Sequence, residues 1–222
     1  MPGRLDDIPE LDTRGGLARV WTSLRRGMRH RAYPGWFRPW ATGVEDKGTM
    51  MRWFEPVLVP GILQSEGYAR ALLADQIGAT PEEIEESVSA RLERQAILDR
   101  DKPPEIWFVI DEAVLHRGVG GPAVMREQIR RLIELAQRPN IVMQVIPSSV
   151  PVHEGLRGAG FTIADLDNAP RVAYQDTAVR GQVVDDRDDV EVLMTVWDRL
   201  RAEALPRKAS LALLEEVAQK WT

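Results

Sequence analysis

Side chains able to move a proton near neutral pH are few in this chain and widely spaced. The three histidines stand at His30, His116 and His153, too far apart in sequence to suggest a His-rich metal centre. The chain has no Cys, which excludes disulfides, thiolate catalysis and Cys-ligated metals. Neither a metal nor a cofactor is expected. His153 has the most suggestive setting, since it lies in a Pro- and Gly-containing loop after an apolar run, and loops at strand ends often line sites. With Glu154 beside it, its imidazole would supply an acid and a base near pH 7. The plainer reading is a hydrogen-bonding turn residue. Asp111 and Glu112 close another apolar run, at the end of a strand where α/β sheets expose functional groups. Paired carboxylates divide acid and base roles when their environments differ. Equally, Asp111 would cap a turn and Glu112 would pair with Arg91 or Arg94.

Aromatic residues offer a second kind of site. Seven Trp against three Tyr and four Phe is an unusual balance, and large rings serve either a core or a flat ligand. Trp36, Trp40, Trp53, Trp107 and Tyr174, with one or two carboxylates such as Asp111, are the candidates for a pocket that takes a flat, cationic molecule. Trp197 and Trp221 fall on helical stripes and read as core. The segment 13–44 holds seven arginines and no acid, interleaved with rings. Such a segment either holds single-stranded nucleic acid or, more simply, forms a solvated helix face over packed rings.

The motifs that announce a chemistry are missing: no phosphate loop, dinucleotide fingerprint, nucleophile elbow or zinc pair is present. The glycines at 118–121 lack the Lys-Ser/Thr of a phosphate loop and run into Pro122, so they read as a loop leading into a helix. A net charge of −5 gives no general attraction to phosphate backbones. No apolar run approaches the roughly 20 residues of a membrane span, and no export leader is evident. The expectation is a cytoplasmic protein without membrane contact.

The elements that position these residues follow from periodicity. Thr80-Pro81-Glu82-Glu83 is a helix start with a capping box, and Ile84, Val88, Leu92 and Ala96 carry that helix to about Arg100. The runs 106–110 and 141–146 read as buried strands. Between them a helix starts at Pro122 and buries Met125, Ile129, Leu132, Ile133 and Ala136, which predicts a parallel crossover. Strands at 161–164, 171–174 and 182–184 follow through short turns that suit antiparallel neighbours. Two terminal helices bury Val190, Leu193, Trp197 and Leu200, then Leu211, Leu214, Ala218 and Trp221. The fold class is α+β: a mixed sheet of about four or five short strands with a strand–helix–strand unit, flanked by N-terminal and C-terminal helices. A flexible leader at 1–16 and a single domain at 17–222 are expected.

The stretch Val59-Pro60-Gly61-Ile62-Leu63-Gln64-Ser65 through Tyr68-Ala69-Arg70 resembles the signature of the domain of unknown function that follows the helix-turn-helix in actinobacterial Xre-type regulators. The resemblance continues in Arg91-Leu92-x-Arg94-Gln95-x-Ile97-Leu98, Asp111-Glu112-Ala113-Val114-Leu115, Gly120-Gly121-Pro122-x-Val124-Met125-x-Glu127-Gln128 and Leu200-Arg201-x-Glu203-Ala204-Leu205. It also places a His in the loop before the Gly-x-Phe-Thr strand, the position of His153. The segment 43–48 departs from the pattern, which has a helix there. Residues 1–16 are too short for a DNA-binding head, so sequence-specific DNA binding by the chain alone is not expected.

The resemblance implies a sensor or effector module responsive to a small molecule or a partner protein, with the aromatic residues as its pocket for a small aromatic molecule; separately, a homodimer is the two-fold default for a soluble chain with spare apolar helix surface. The alternative is a cofactor-free enzyme of specialised metabolism, condensing or cyclising an aromatic amine in a Pictet–Spengler-like reaction, with His153, Glu154 and Glu112 as its acid–base groups.

Overall fold

In the computed structural model, which describes residues 37, 40–74, 76–177 and 181–221, the apolar runs become the middle of a mixed sheet. Trp36, the leader and most of the arginine-rich segment lie outside the described residues. Six strands are described: β1 (Gly48–Glu55), β2 (Glu105–Asp111), β3 (Ile141–Ile146), β4 (Phe161–Leu166), β5 (Ala169–Asp176) and β6 (Gly181–Val184), in the order β3-β2-β1-β4-β5-β6. That is one or two strands more than the sequence suggests. The addition is β1, which carries the charged Arg52 and a register shift near Gly48 and Met50. A half-buried strand of this kind lacks the β-branched run that betrays β2 and β3.

β1 is the seam of the sheet. It runs parallel to β2, which runs parallel to β3, whereas β4, β5 and β6 are joined antiparallel. The parallel pair β2–β3 is connected through α4 (Pro122–Ala136), as the crossover reading requires.

Helices α1 (Glu66–Ala74), α4 and α6 (Arg207–Lys220) bury one face of the sheet, with α2 (Pro81–Arg94) packed against α1, and α5 (Arg187–Glu203) covers the other; the short α3 (Glu112–His116) follows β2. The two faces sort by residue parity. Met51, Trp53, Phe108, Ile110, Met143, Val145 and Tyr174 join the larger core, while Phe54, Val109, Phe161, Ile163 and Ala173 pack with Trp197 and Leu200 of α5. Trp197 is core as its stripe predicts, and Trp221 closes α6 by donating its indole N–H to the Leu115 carbonyl at 3.0 Å.

Local capping explains the ends. Thr80 and Glu83 form the capping box reciprocally. Helical bonding of the α type stops at Arg94, short of Arg100, and a 3-10 turn carries Gln95–Leu98. Gly120 and Gly121 both adopt positive φ, 69° and 85°. A Cβ on Gly120 would stand 2.8 Å from the Ala71 Cβ, so this loop is glycine for close approach to α1.

The signature segment has a structural use. Gln64 donates to the Val59 carbonyl at 2.7 Å and accepts from Arg91 at 2.8 Å. Gln95 donates to the Gln64 carbonyl and accepts from Arg131. Gln128 donates to the Leu63 carbonyl and accepts from the Ser65 N–H. Three buried glutamines thus satisfy the backbone of a loop that has no sheet or helix partner of its own. That loop carries the chain away from the carboxyl end of β1.

Candidate functional site

Side chains alternate along a strand, so Trp53 and Glu55 leave β1 on the same face. The register then builds a row across three strands, Trp53 beside Thr162 of β4 and Thr162 beside Tyr174 of β5. One step past the last paired residues, Glu55, Gly160 and Asp176 form the next row. The middle member has no side chain. A Cβ at Gly160 would lie 2.7 Å from Glu55 Oε2 and 2.9 Å from the Phe54 carbonyl oxygen, so the Glu55 carboxyl occupies the space that any other residue would fill.

Rings close over this row. Trp40, at the start of a π-helical turn Trp40–Val44, packs on Tyr174 with centroids 5.1 Å apart and planes at 30°. Phe37 meets the same Tyr174 edge-on at 5.3 Å. The Trp53 indole donates to Glu55 Oε1 at 3.2 Å, and the Tyr174 hydroxyl donates to Asp176 Oδ1 at 2.6 Å. Trp40 is fully buried, yet its indole N–H has no acceptor among the described residues. A buried donor without a partner costs roughly 1–3 kcal/mol.

Arg94 stands over Phe37 and Trp53, its Cζ 4.5 and 5.4 Å from the ring centroids. Glu45, 1% exposed, holds that guanidinium in a two-point pair at 2.6 and 2.7 Å. Among the described residues, neither Glu55 nor Asp176 has such a cation within salt-bridge distance. Burial pushes the Glu55 carboxyl up to about 7; the Trp53 bond and Arg94 pull it down, and the Asp176 charge adds to the rise. Burial also raises the Tyr174 phenol, reinforced by its bond to Asp176.

The acid–base candidates read from the sequence go elsewhere. Asp111 caps α3 by accepting from the Ala113 N–H at 2.7 Å, and its other oxygen accepts from His153 Nε2 at 2.8 Å. His153 is buried beside Phe54 with Nδ1 unpartnered. A Cβ on Gly155 would overlap the Phe54 ring at 2.1 Å, so the loop is packed tightly at this point. Glu154, the neighbour of His153 in sequence, turns to Arg199 of α5 at 2.9 Å. Glu112 accepts from the Ser148 N–H at 2.6 Å and meets His116 at 3.2 Å. Burial would raise its carboxyl, but these bonds outweigh burial and hold it low. Neither Arg91 nor Arg94 reaches Glu112, because Gln64 and Glu45 engage them.

Trp107 lies on the opposite face from Trp53, donating to Glu105 at 2.6 Å with Arg201 over its ring at 4.1 Å. Of the candidates within the described residues, the structure therefore unites Trp40, Trp53 and Tyr174 and separates Trp107, Asp111, Glu112, His153 and Glu154 from them. Glu55, Gly160 and Asp176 were not singled out in the sequence. The available signal was an acid placed directly before the Pro-bounded signature.

The family model for "Domain of unknown function (DUF5753)" matches residues 41–216. The chain belongs to this family. No curated protein and no solved structure matches it. The DUF5753 match includes Glu45, Trp53, Glu55, Arg94, Gly160, Tyr174 and Asp176, and begins one residue after Trp40. Among the described residues no helix is long and apolar enough to cross a membrane, and no group of three or more His, Asp or Glu is placed to hold a metal ion.

Proposed function

We propose that this DUF5753 domain is a small-molecule-binding effector domain of the Xre-regulator type, of actinobacterial origin, taking a flat aromatic ligand where Trp40, Trp53 and Tyr174 meet the Glu55–Gly160–Asp176 row. The observation that carries this reading is Trp40: its fully buried indole N–H lacks an acceptor among the described residues, inside a ring group that ends at the Glu55 and Asp176 carboxylates. Ligand sites combine mostly apolar walls with a few polar groups of this kind.

The enzymatic reading, a cofactor-free condensation or cyclisation of an aromatic amine, is favoured by one observation. A carboxyl near 7 suits proton transfer at neutral pH. Its acid–base groups would then be Glu55 with Asp176 and Tyr174, in place of His153, Glu154 and Glu112.

Native mass spectrometry of the full chain incubated with cell metabolite extract separates the readings. The effector reading expects a retained small molecule, lost in the Glu55→Gln/Asp176→Asn double variant, with no new product mass. Catalytic consumption of one compound would replace it with the enzymatic reading. An empty protein in every fraction would sink both.

A further inference from the structure

We infer a second binding site, for an alkyl-chain carboxylate, in the slot between the end of α4, strand β3 and the first two turns of α6. It is separate from the aromatic site. β2, β1 and β4 stand between β3 and β5 in the sheet, and no lining residue of the slot belongs to the ring group around Tyr174. Its test is therefore independent of the function proposed above.

Helical spacing builds one wall. Arg207, Leu211 and Leu214 recur at four and then three residues and share one side of α6, with Lys208 beside Arg207. Ala136 closes α4, and Met143 leaves β3 on the face of the larger core. These six residues line a cavity of about 280 Å³, close to the lower end of small-ligand sites at roughly 300 Å³. Protein interiors leave few gaps of that size. Met143 and Leu214 are buried and form the floor, Leu211 is half-buried, and Arg207 and Lys208 are exposed at the mouth. The inner walls are all alkyl or thioether, and the unbranched Met143 adapts to an irregular partner.

Charge selects the ligand. Arg207 donates to the Ala136 carbonyl at 2.7 Å and the Arg138 carbonyl at 3.4 Å. These neutral acceptors close the end of α4, whose dipole offsets only about half a charge. Among the described residues Lys208 has no acid within salt-bridge distance, whereas Arg138 is paired with Asp99 and Lys220, at the far end of α6, with Glu216. The mouth therefore carries positive charge that the protein does not compensate. A cationic ligand would add to it, and a flat aromatic one would find no ring in the lining. A carboxylate between Arg207 and Lys208 compensates the charge, and its alkyl chain follows Leu211 toward Leu214, about 10 Å along the helix axis.

The test is a methyl ¹³C–¹H titration of the full chain at pH 7.5 with octanoate, 1-octanol and octylammonium. Octanoate is expected to shift the Ala136, Met143, Leu211 and Leu214 methyl signals saturably. It should bind about fivefold more tightly than the alcohol, the upper worth of one exposed ion pair, and octylammonium should bind most weakly. Lys208→Glu, at an exposed position, is expected to bring octanoate to or below the level of the alcohol while leaving alcohol binding in place. Ala136→Leu narrows the slot and is expected to weaken both probes, with melting curves to show that the variant is folded. Equal binding of octanoate and octanol, or a preference that survives Lys208→Glu, would overturn the carboxylate assignment. Saturable shifts confined to other methyls, or none with any probe, would overturn the site.

Discussion

Replacing Glu55 by Gln keeps the shape of the side chain and removes one titrating group, which makes the buried carboxyl measurable as stability. Burial moves Glu55 from 4.5 to about 7 in the folded protein, while the unfolded chain keeps the ordinary value. Below pH 4.5 the group is protonated in both states and costs nothing. As pH rises toward 7 the unfolded chain releases the proton first, so the folded state loses stability across that window. Above 7 both states are ionised and the loss is constant. A shift of about 2.5 units corresponds to roughly 3 kcal/mol. Other titrating groups cancel when variant and parent are compared at each pH. Glu55→Gln should therefore equal the parent near pH 4.5 and exceed it by about 2–3 kcal/mol at pH 8, a rise in Tm of roughly 4–12 °C for a chain of this size. Urea denaturation at pH 4.5, 5.5, 6.5 and 8 reads the difference. A difference that stays flat across this range, or a variant less stable at pH 8, would refute the buried-carboxyl argument. The groups facing Glu55, namely Asp176, Arg94 and Tyr68, remain unchanged in both proteins.

Two further outcomes follow from the packing. Gln128→Ala leaves the Ser65 N–H and the Leu63 carbonyl without their side-chain partner, and urea denaturation should show a loss of roughly 2–4 kcal/mol. His153→Ala opens a space beside Phe54 and frees one Asp111 oxygen; it should lower the denaturation midpoint while leaving affinity for the small molecule retained in native mass spectrometry within about twofold of the parent, because its contacts lie on the α5 side of the sheet.

Long apolar runs and caps carried most of the fold into view. The β2–α4–β3 crossover, the antiparallel β4–β5–β6 strands and the two terminal helices all rest on patterns local to a few residues. β1 escaped because its half-buried Arg52, paired with Asp165 across the sheet at 2.8 Å, breaks the apolar run. Without β1, no parity argument could place Trp53 with Tyr174, or set Trp107 apart from both. Trp107 and Phe108 are adjacent and point to opposite faces, and only the register decides which ring meets the site. Glu55 and Gly160 are 105 residues apart, a proximity that strand pairing creates and local sequence does not announce. His153 and Glu154 show the converse, since adjacent residues part to Asp111 and Arg199.

The most direct test of the central claim uses the tryptophans as reporters. In an assigned ¹⁵N–¹H spectrum each indole N–H gives its own signal, with Trp40 lacking an acceptor among the described residues, Trp53 bound to Glu55, Trp107 to Glu105 and Trp221 to the Leu115 carbonyl. On titration with the small molecule retained in native mass spectrometry, the Trp40 and Trp53 signals should shift and saturate together while those of Trp107, Trp197 and Trp221 stay in place. Saturable shifts at Trp107 or Trp197, with Trp40 and Trp53 unmoved, would contradict the site.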